Sequence, residues 1–315
     1  MTRKKIIGGI VLGAAVLSLL AALLVRAGHP DNKRGAAYTG IGPAVGIIEI
    51  EGMIVGDRSA AGLFGEGASG SRTVMAQLRQ AARNPDIKAV VLRMNSPGGT
   101  TAASQEIADE VKKLKKSGVK VVTSMGDVAA SGAYWIAASS DKIVANPGTI
   151  TGSIGVLIQT TNYRGLFDKL GIGSTTFKSG AYKDMGSPVR PMTEEERRIF
   201  QSMVDDTYLQ FIDTVAGGRN LSPDVVRRLN GRVLTGRQAM EVGLVDQLGN
   251  FYDSISLAGE ISGLGKNPRT LNLTPKRPWW QFFDDMASSL SQGKSPLTGV
   301  RGYPGVLLLC PPIEM

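Results

Sequence analysis

The stretch AVVLRMNSPGG (residues 89–99), with the amphipathic segment Thr101 to Lys116 behind it, decides the fold. Ala89 to Met94 is a short apolar run of the kind found in strands buried on both faces. Asn95-Ser-Pro-Gly-Gly99 then supplies turn residues. From Thr101 the apolar residues recur at helical spacing, with Ile107, Val111 and Leu114 inward and Glu, Asp and Lys outward, until Gly118 breaks the helix. The same alternation continues on either side. Val45 to Val55 reads as a strand, Gly56 to Ser71 as a Gly/Ala/Ser-rich flexible loop, and Thr73 to Arg83 as a helix ending before Asn84-Pro85. Val119 to Met125 reads as the next strand, Ala133 to Ser139 as an apolar helix and Lys142 to Ala145 as a further strand. Two longer helices follow, Thr193 to Ala216 and Ser222 to Leu229. Strands alternating with helices at this spacing specify an α/β layer structure.

With 315 residues, 42% hydrophobic and 20% charged, the chain has enough apolar material for a sizeable core. The single cysteine, Cys310, excludes an intramolecular disulfide framework and any cysteine-clustered metal site. The single histidine, His29, sits in a polar stretch, so a Ser-His-Asp triad, a histidine zinc site and H-E-x-x-H chemistry are excluded as well. Neither a metal nor a cofactor is expected. Lys and Arg outnumber Asp and Glu by 36 to 27, a net charge of +9, but they are scattered and only 6% of residues are aromatic. That is not the footprint of a nucleic-acid binder. An anionic membrane surface is the more economical partner.

Ile6 to Val25 is a run of 20 residues without a charge, proline or amide, flanked by Arg3, Lys4, Lys5 and Arg26. At about 1.5 Å per residue it matches the ~30 Å hydrocarbon thickness of a bilayer. It exceeds the h-region of a cleavable signal peptide, and its exit, Val25-Arg26-Ala27, is a poor cleavage site. The sequence thus predicts an uncleaved anchor over 1–26, a linker over 27–43, and a chain oriented with its N-terminus inside and the remainder outside. After Gly265 the composition shifts. Pro278-Trp-Trp-Gln-Phe-Phe283 is aromatic and Gly305 to Cys310 apolar, so 266–315 reads as a C-terminal extension.

Without histidine, a hydrolase can still use a serine activated by lysine. S-x-x-K occurs at Ser117/Lys120, Ser139/Lys142 and Ser291/Lys294, with no K-T-G or S-D-N to accompany it, and G-x-S-x-G is absent around Ser131. Two loops suit acyl transfer better. The glycines of Asn95-Ser-Pro-Gly-Gly99 expose backbone N–H groups as an oxyanion site requires. Ala129-Ala-Ser131-Gly-Ala133 places a hydroxyl among small residues at a helix start, where the Gly132 N–H and the helix favour developing negative charge. The bland alternative is two turns and a serine N-cap.

The runs NSPGG (95–99), GDVAASGAY (126–134), GTITGSIGV (148–156), KSGAYKD (178–184) and LTGRQAMEVGLVDQLG (234–249) together resemble the signal peptide peptidase A family of bacterial membrane serine proteases. The resemblance covers about 45–265 and implies a protease domain over 44–265. NSPGG and the last run are shared with the wider Clp protease/crotonase superfamily, which implies a core of repeated strand-strand-helix (β-β-α) units. By the same resemblance the nucleophile falls on Ser131 and the general base on Lys183, a choice over Lys178 or Lys169 that only the motif makes. Ser153 falls on the hydroxyl that orients the lysine, and the N–H of Gly132 with that of Gly98 or Gly99 on the oxyanion donors. Asp184, next to Lys183, is expected to point away, since a carboxylate facing the amine would keep it charged.

The implied activity is endoproteolysis of cleaved signal peptides in or at the bacterial cytoplasmic membrane, by a catalytic domain on its outer side. The alternatives are a crotonase-like acyl-CoA enzyme, a related membrane protease with a dedicated protein substrate, and an inactive scaffold. Because this chain carries each motif once, and single-length members of the family let a lysine reach a neighbour's serine, a homo-oligomer with sites shared between subunits is expected. The apolar end Gly305–Cys310 resembles a substrate and is expected to be able to occupy the chamber so formed.

Overall fold

The computed structural model describes residues 42–56 and 68–274, together with the backbone of 307–309. The anchor expected at Ile6–Val25, His29, the aromatic run at 278–283 and Cys310 all lie outside the described residues. Among the described residues no helix is long and apolar enough to cross a membrane.

The centre is a parallel sheet. Strand β1 (Ala44–Glu51) pairs with β4 (Ile87–Ser96), β4 with β6 (Lys120–Ala130), and β6 with β7 (Lys142–Ala145). The edges are β10 (Gln247–Leu248) beside β7 and β11 (Thr270–Asn272) beside β1. Val90, Val91 and Leu92 are consecutive and all fully buried, because helices cover both faces. Successive residues point opposite ways along a strand. Val90, Leu92 and Met94 therefore join a large core with α1 (Ser71–Arg83), α2 (Thr101–Lys116) and α5 (Glu194–Arg219). Val45, Ala89, Val91, Val122 and Val144 pack on the other side around Ala258 of the helix Phe251–Ile261.

The strand-strand-helix repeat comes from what happens at the carboxyl ends of β1 and β4. Each strand is followed by a glycine with positive φ, Gly52 (+64°) and Gly98 (+108°), a region that side chains disfavour. The chain turns there into a second, smaller sheet, in which β5 (Gly98–Thr100) pairs with β2 (Ile54–Val55) and β2 with β3 (Ser69–Gly70). Val45 to Val55 is thus two strands broken at Gly52, and the end of NSPGG is itself a strand. The third strand also outruns its expected end at Met125. It reaches Ala130 because Asn95 Oδ1 accepts the Val128 N–H (3.1 Å) and β8 (Ile150–Gly152) pairs alongside.

Helix α2 follows its periodicity, with Ile107, Val111 and Leu114 buried, but Glu110 is not on the solvent side as expected. It is buried between α1 and α2, where Arg79 Nε and Nη2 donate to its two oxygens (3.1 and 3.0 Å) and Lys113 Nζ donates at 2.7 Å. The hydrogen bonds from Arg79 and then Lys113 hold its carboxyl down at about 2. A carboxyl lowered on folding contributes stability that is complete above its unfolded value and fades as pH falls through the folded one. Glu110→Gln should therefore cost about 1–2 kcal/mol at neutral pH, measured by urea unfolding, and the gap to the parent protein should close as pH approaches about 2.

Candidate active site

The expected nucleophile lies where β6 meets α3 (Gly132–Ala137). Ser131 has φ +55° and ψ −120°, a backbone that a non-glycine residue rarely adopts. The conformation is fixed from both ends, since the Ser131 N–H donates to the Gly152 carbonyl (2.9 Å) and the Trp135 N–H donates to the Ser131 carbonyl (2.9 Å). Behind it, α3 is anchored by stacking of Trp135 on Phe211 (centroids 4.5 Å apart) and by the Tyr134 hydroxyl donating to the Leu244 carbonyl (2.8 Å). The LTGRQAMEVGLVDQLG run thereby reaches the site from behind. Ala129, Ala130 and Ala133 crowd Ser131 without bulk, and the serine is 0% exposed. Among the described residues its Oγ has no hydrogen-bond partner. A buried, unbonded hydroxyl on strained backbone is unfavourable by a few kcal/mol in total. Such a combination points to function rather than to packing.

The sheet carries the other expected residues to the same edge. Beyond the irregularity after Met94, β4 and β6 resume register at Ser96 and Ala129, which sets the glycine strand beside the serine junction. Ala130 pairs with Gly152, so Ser153 is one step past β8 as Ser131 is one step past β6. Thr151 Oγ1 donates to the Ala129 carbonyl (2.7 Å) and locks that pairing. Ser153 also has positive φ (+50°), and its N–H is held by the Arg232 carbonyl (2.9 Å) next to β9 (Val233–Thr235), the antiparallel partner of β8. Of the glycine pair, Gly98 N–H already faces Ser96 Oγ (3.2 Å). Gly99 lies so close to β2 that a Cβ there would overlap the Ile54 backbone. Gly132 opens α3, where N–H groups have no intrahelical acceptor.

One expected residue is not brought there. Lys183 lies on an exposed arm, residues 157–191, that contains only the short helix α4 (Arg164–Lys169). Its N–H closes a turn on the Gly180 carbonyl (3.2 Å) and its side chain is solvent-exposed. Ser131 Oγ therefore receives no bond from it within the subunit. The arm also shows a run of apolar side chains to solvent, including Tyr163, Leu166, Leu170, Ile172 and Phe177, the last 95% exposed. Asp184 does turn from Lys183, binding Lys178 and Arg190 instead. Sequence reasoning had no role for Arg190. The readable trace was the Thr193-x-x-Glu196 capping box that Arg190 docks against.

Residues 113–264 match Peptidase family S49, and residues 67–149 match Clp protease. The chain is 43% identical over 198 residues to the provisional protease slr0021 of Synechocystis sp., a match covering 62% of this chain and 71% of that one. The chain belongs to peptidase family S49. Other relatives include a provisional signal peptide peptidase SppA of Enterococcus faecium (42% identical, 66% of this chain and 60% of that one) and Protease 4 of Haemophilus influenzae (34%, 78% and 39%). The chain thus spans less than two thirds of the length of both.

The strain at the serine has a measurable consequence. Ser131→Gly removes both the disfavoured φ and the unbonded hydroxyl, so it should stabilise the fold by about 1 kcal/mol after the extra backbone entropy of glycine. Differential scanning calorimetry should show a raised unfolding temperature. Gly99→Ala should be destabilised by about 1–3 kcal/mol from the forced overlap with Ile54.

Proposed function

We propose that the protein is a membrane-tethered serine endopeptidase in which Ser131 of one subunit is activated by Lys183 of another. The observation that carries this reading is the complementary state of the two groups. Among the described residues the serine is buried and unbonded, while the lysine is exposed on an arm that shows its apolar side chains to solvent. A lysine free in water, with pKa ~10.4, is a cation and accepts no proton. Burial away from carboxylates is what brings catalytic lysines to ~7–8. Seating the arm of one copy against the next supplies that burial and covers the apolar residues in one step. Head-to-tail contacts of this kind close into a ring when the rotation between copies closes.

In the proposed cycle, the neutral Lys183 amine takes the Ser131 proton as Oγ attacks the scissile carbonyl. The oxyanion is met by the Gly132 N–H and by Gly99, the glycine of the pair whose N–H is not facing Ser96 Oγ. Ser153, beside the serine junction, holds the amine in line. The lysinium then protonates the leaving amine, and water activated by the same lysine releases the acyl group from Ser131.

The glycine strand also suggests how substrate binds. Strand β12 (Leu307–Leu309), from the chain's own C-terminal extension, lies antiparallel to β5 with Leu308 opposite Gly99. An extended peptide adding to this edge would gain its affinity from main-chain hydrogen bonds. We read β12 as occupying the place of substrate. With an anchor at Ile6–Val25, the substrates within reach are apolar segments at the outer face of the membrane, of which signal-peptide remnants are the leading class.

Ser131→Ala, Lys183→Ala and Lys183→Arg should each abolish hydrolysis of an apolar peptide, the last because guanidinium stays protonated. Turnover by the Lys183→Arg protein would remove lysine from the role of base. Deletion of the residues after Arg301 should raise the rate on added peptide, read as a lower KM. An unchanged KM would mean that β12 does not compete with substrate.

A further inference from the structure

The ionic cluster around Asp184 has no part in the cycle above, yet it adjoins the proposed base. We propose that Arg190 and Lys178 act as a clasp that keeps the Asp184 carboxylate off Lys183, leaving the lysine amine able to lose its proton. This rests on the reading of Lys183 as base and adds positioning residues to it.

The geometry is specific. Arg190 grips Asp184 as a fork, with Nε donating to Oδ2 and Nη2 to Oδ1, both at 2.8 Å, and Nη2 reaches the Asp184 carbonyl at 3.2 Å. Lys178 Nζ donates to Asp184 Oδ1 (2.7 Å) and to the Ala181 carbonyl (2.9 Å), so it closes the turn from the other side. Arg190 cannot swing away, because it also binds Glu196 through Nη1 (2.9 Å) and Nη2. Glu196 is fixed in turn. It is buried and its carboxylate accepts the Thr193 N–H (3.0 Å) at the start of α5. Bidentate arginine–carboxylate pairs of this form are stronger and more directional than single bonds. The fork from Arg190, followed by the bond from Lys178, holds the Asp184 carboxyl well below the usual carboxylate range, so it stays ionised and committed wherever a lysine base can work.

Charge makes the arrangement matter. The groups facing the turn are Lys178, Asp184 and Arg190 on the arm, with Glu195, Glu196 and Arg198 on α5 facing Tyr182. Three cations and three carboxylates balance while the clasp is closed. Once Arg190 is removed, the Asp184 carboxylate, on the residue next to Lys183, keeps only its single bond to Lys178. An opposite charge freed to come within about 4–6 Å of the amine would stabilise the ammonium by about one pH unit or more. A cluster that merely shaped the arm would have no such signature.

The test is the pH dependence of hydrolysis of a fluorogenic apolar peptide by the full-length protein in detergent, from about pH 6 to about pH 10. Arg190→Gln should move the acid limb upward by about one unit while the alkaline plateau stays close to that of the parent. Adding Asp184→Asn to Arg190→Gln should return the limb to its original position. Lys178→Met, which leaves the Arg190 fork in place, should give a smaller shift in the same direction. A loss of rate by one factor at every pH, or a double variant that does not return, would overturn the proposal. Should Arg190→Gln fail to assemble on sedimentation, Lys178→Met decides, and an unmoved limb there overturns the clasp. Lys183→Ala is measured alongside. Activity in that variant would sink the general-base reading itself, a result separable from any behaviour of Arg190.

Discussion

The parallel pairing of β4 with β6 is the contact on which the site depends. It runs from Ala89 opposite Lys120 to Met94 opposite Met125, loses register, and resumes with Ser96 opposite Ala129. The interruption lets β6 continue past the point where an ordinary strand would stop, with Asn95 bonding Val128 to bridge the gap. As a result the glycine strand β5 and the serine junction end at the same carboxyl edge, where open α/β sheets characteristically bind ligands. β8 adds the third contribution, because Ala130 pairs with Gly152 and brings Ser153 level with Ser131. Everything else packed around this edge, from the Trp135–Phe211 stack to the bond between Tyr134 and Leu244, keeps the junction from relaxing.

Two parts of the chain follow opposite rules. The sheet and its helices bury their apolar residues almost completely, whereas the arm from 157 to 191 leaves aromatic and aliphatic side chains in solvent and is shaped by ion pairs instead. Soluble domains seldom present such a surface without a partner. If Lys183 on this arm completes the site of a neighbouring Ser131, as proposed, assembly and catalysis become a single event. Strain at Ser131 fits the same proposal, since a nucleophile held in place by the fold would need no reorganisation on meeting its base.

Much of this was legible in the residues. The period of Thr101–Lys116 fixed α2 to the residue, and the apolar runs marked β4 and β7. What periodicity could not register was change of direction. Gly52 and Gly98 carry the chain from one sheet to another within a few residues, so a single apolar run, Val45–Val55, hides two strands. Nor could it register polar burial. Glu110 looked like a solvent-facing residue until Arg79, on a different helix, came to meet it. Ser131 and the two glycines were singled out as candidates from their loops, but Lys183 was chosen by motif alone, because no local pattern distinguishes a base from a surface lysine. Arg190 escaped for the same reason, its partners being set by the fold of the arm.

The central claim is that the dyad is completed between subunits, and mixing tests it most directly. Ser131→Ala and Lys183→Ala proteins, each inactive alone, are combined in equal amounts under conditions where subunit exchange is shown by energy transfer between labelled copies. In a head-to-tail assembly a quarter of the sites would pair an intact serine with an intact lysine, so activity should rise to about a quarter of the parent level. A mixture that exchanges fully and stays inactive would contradict a site shared between subunits.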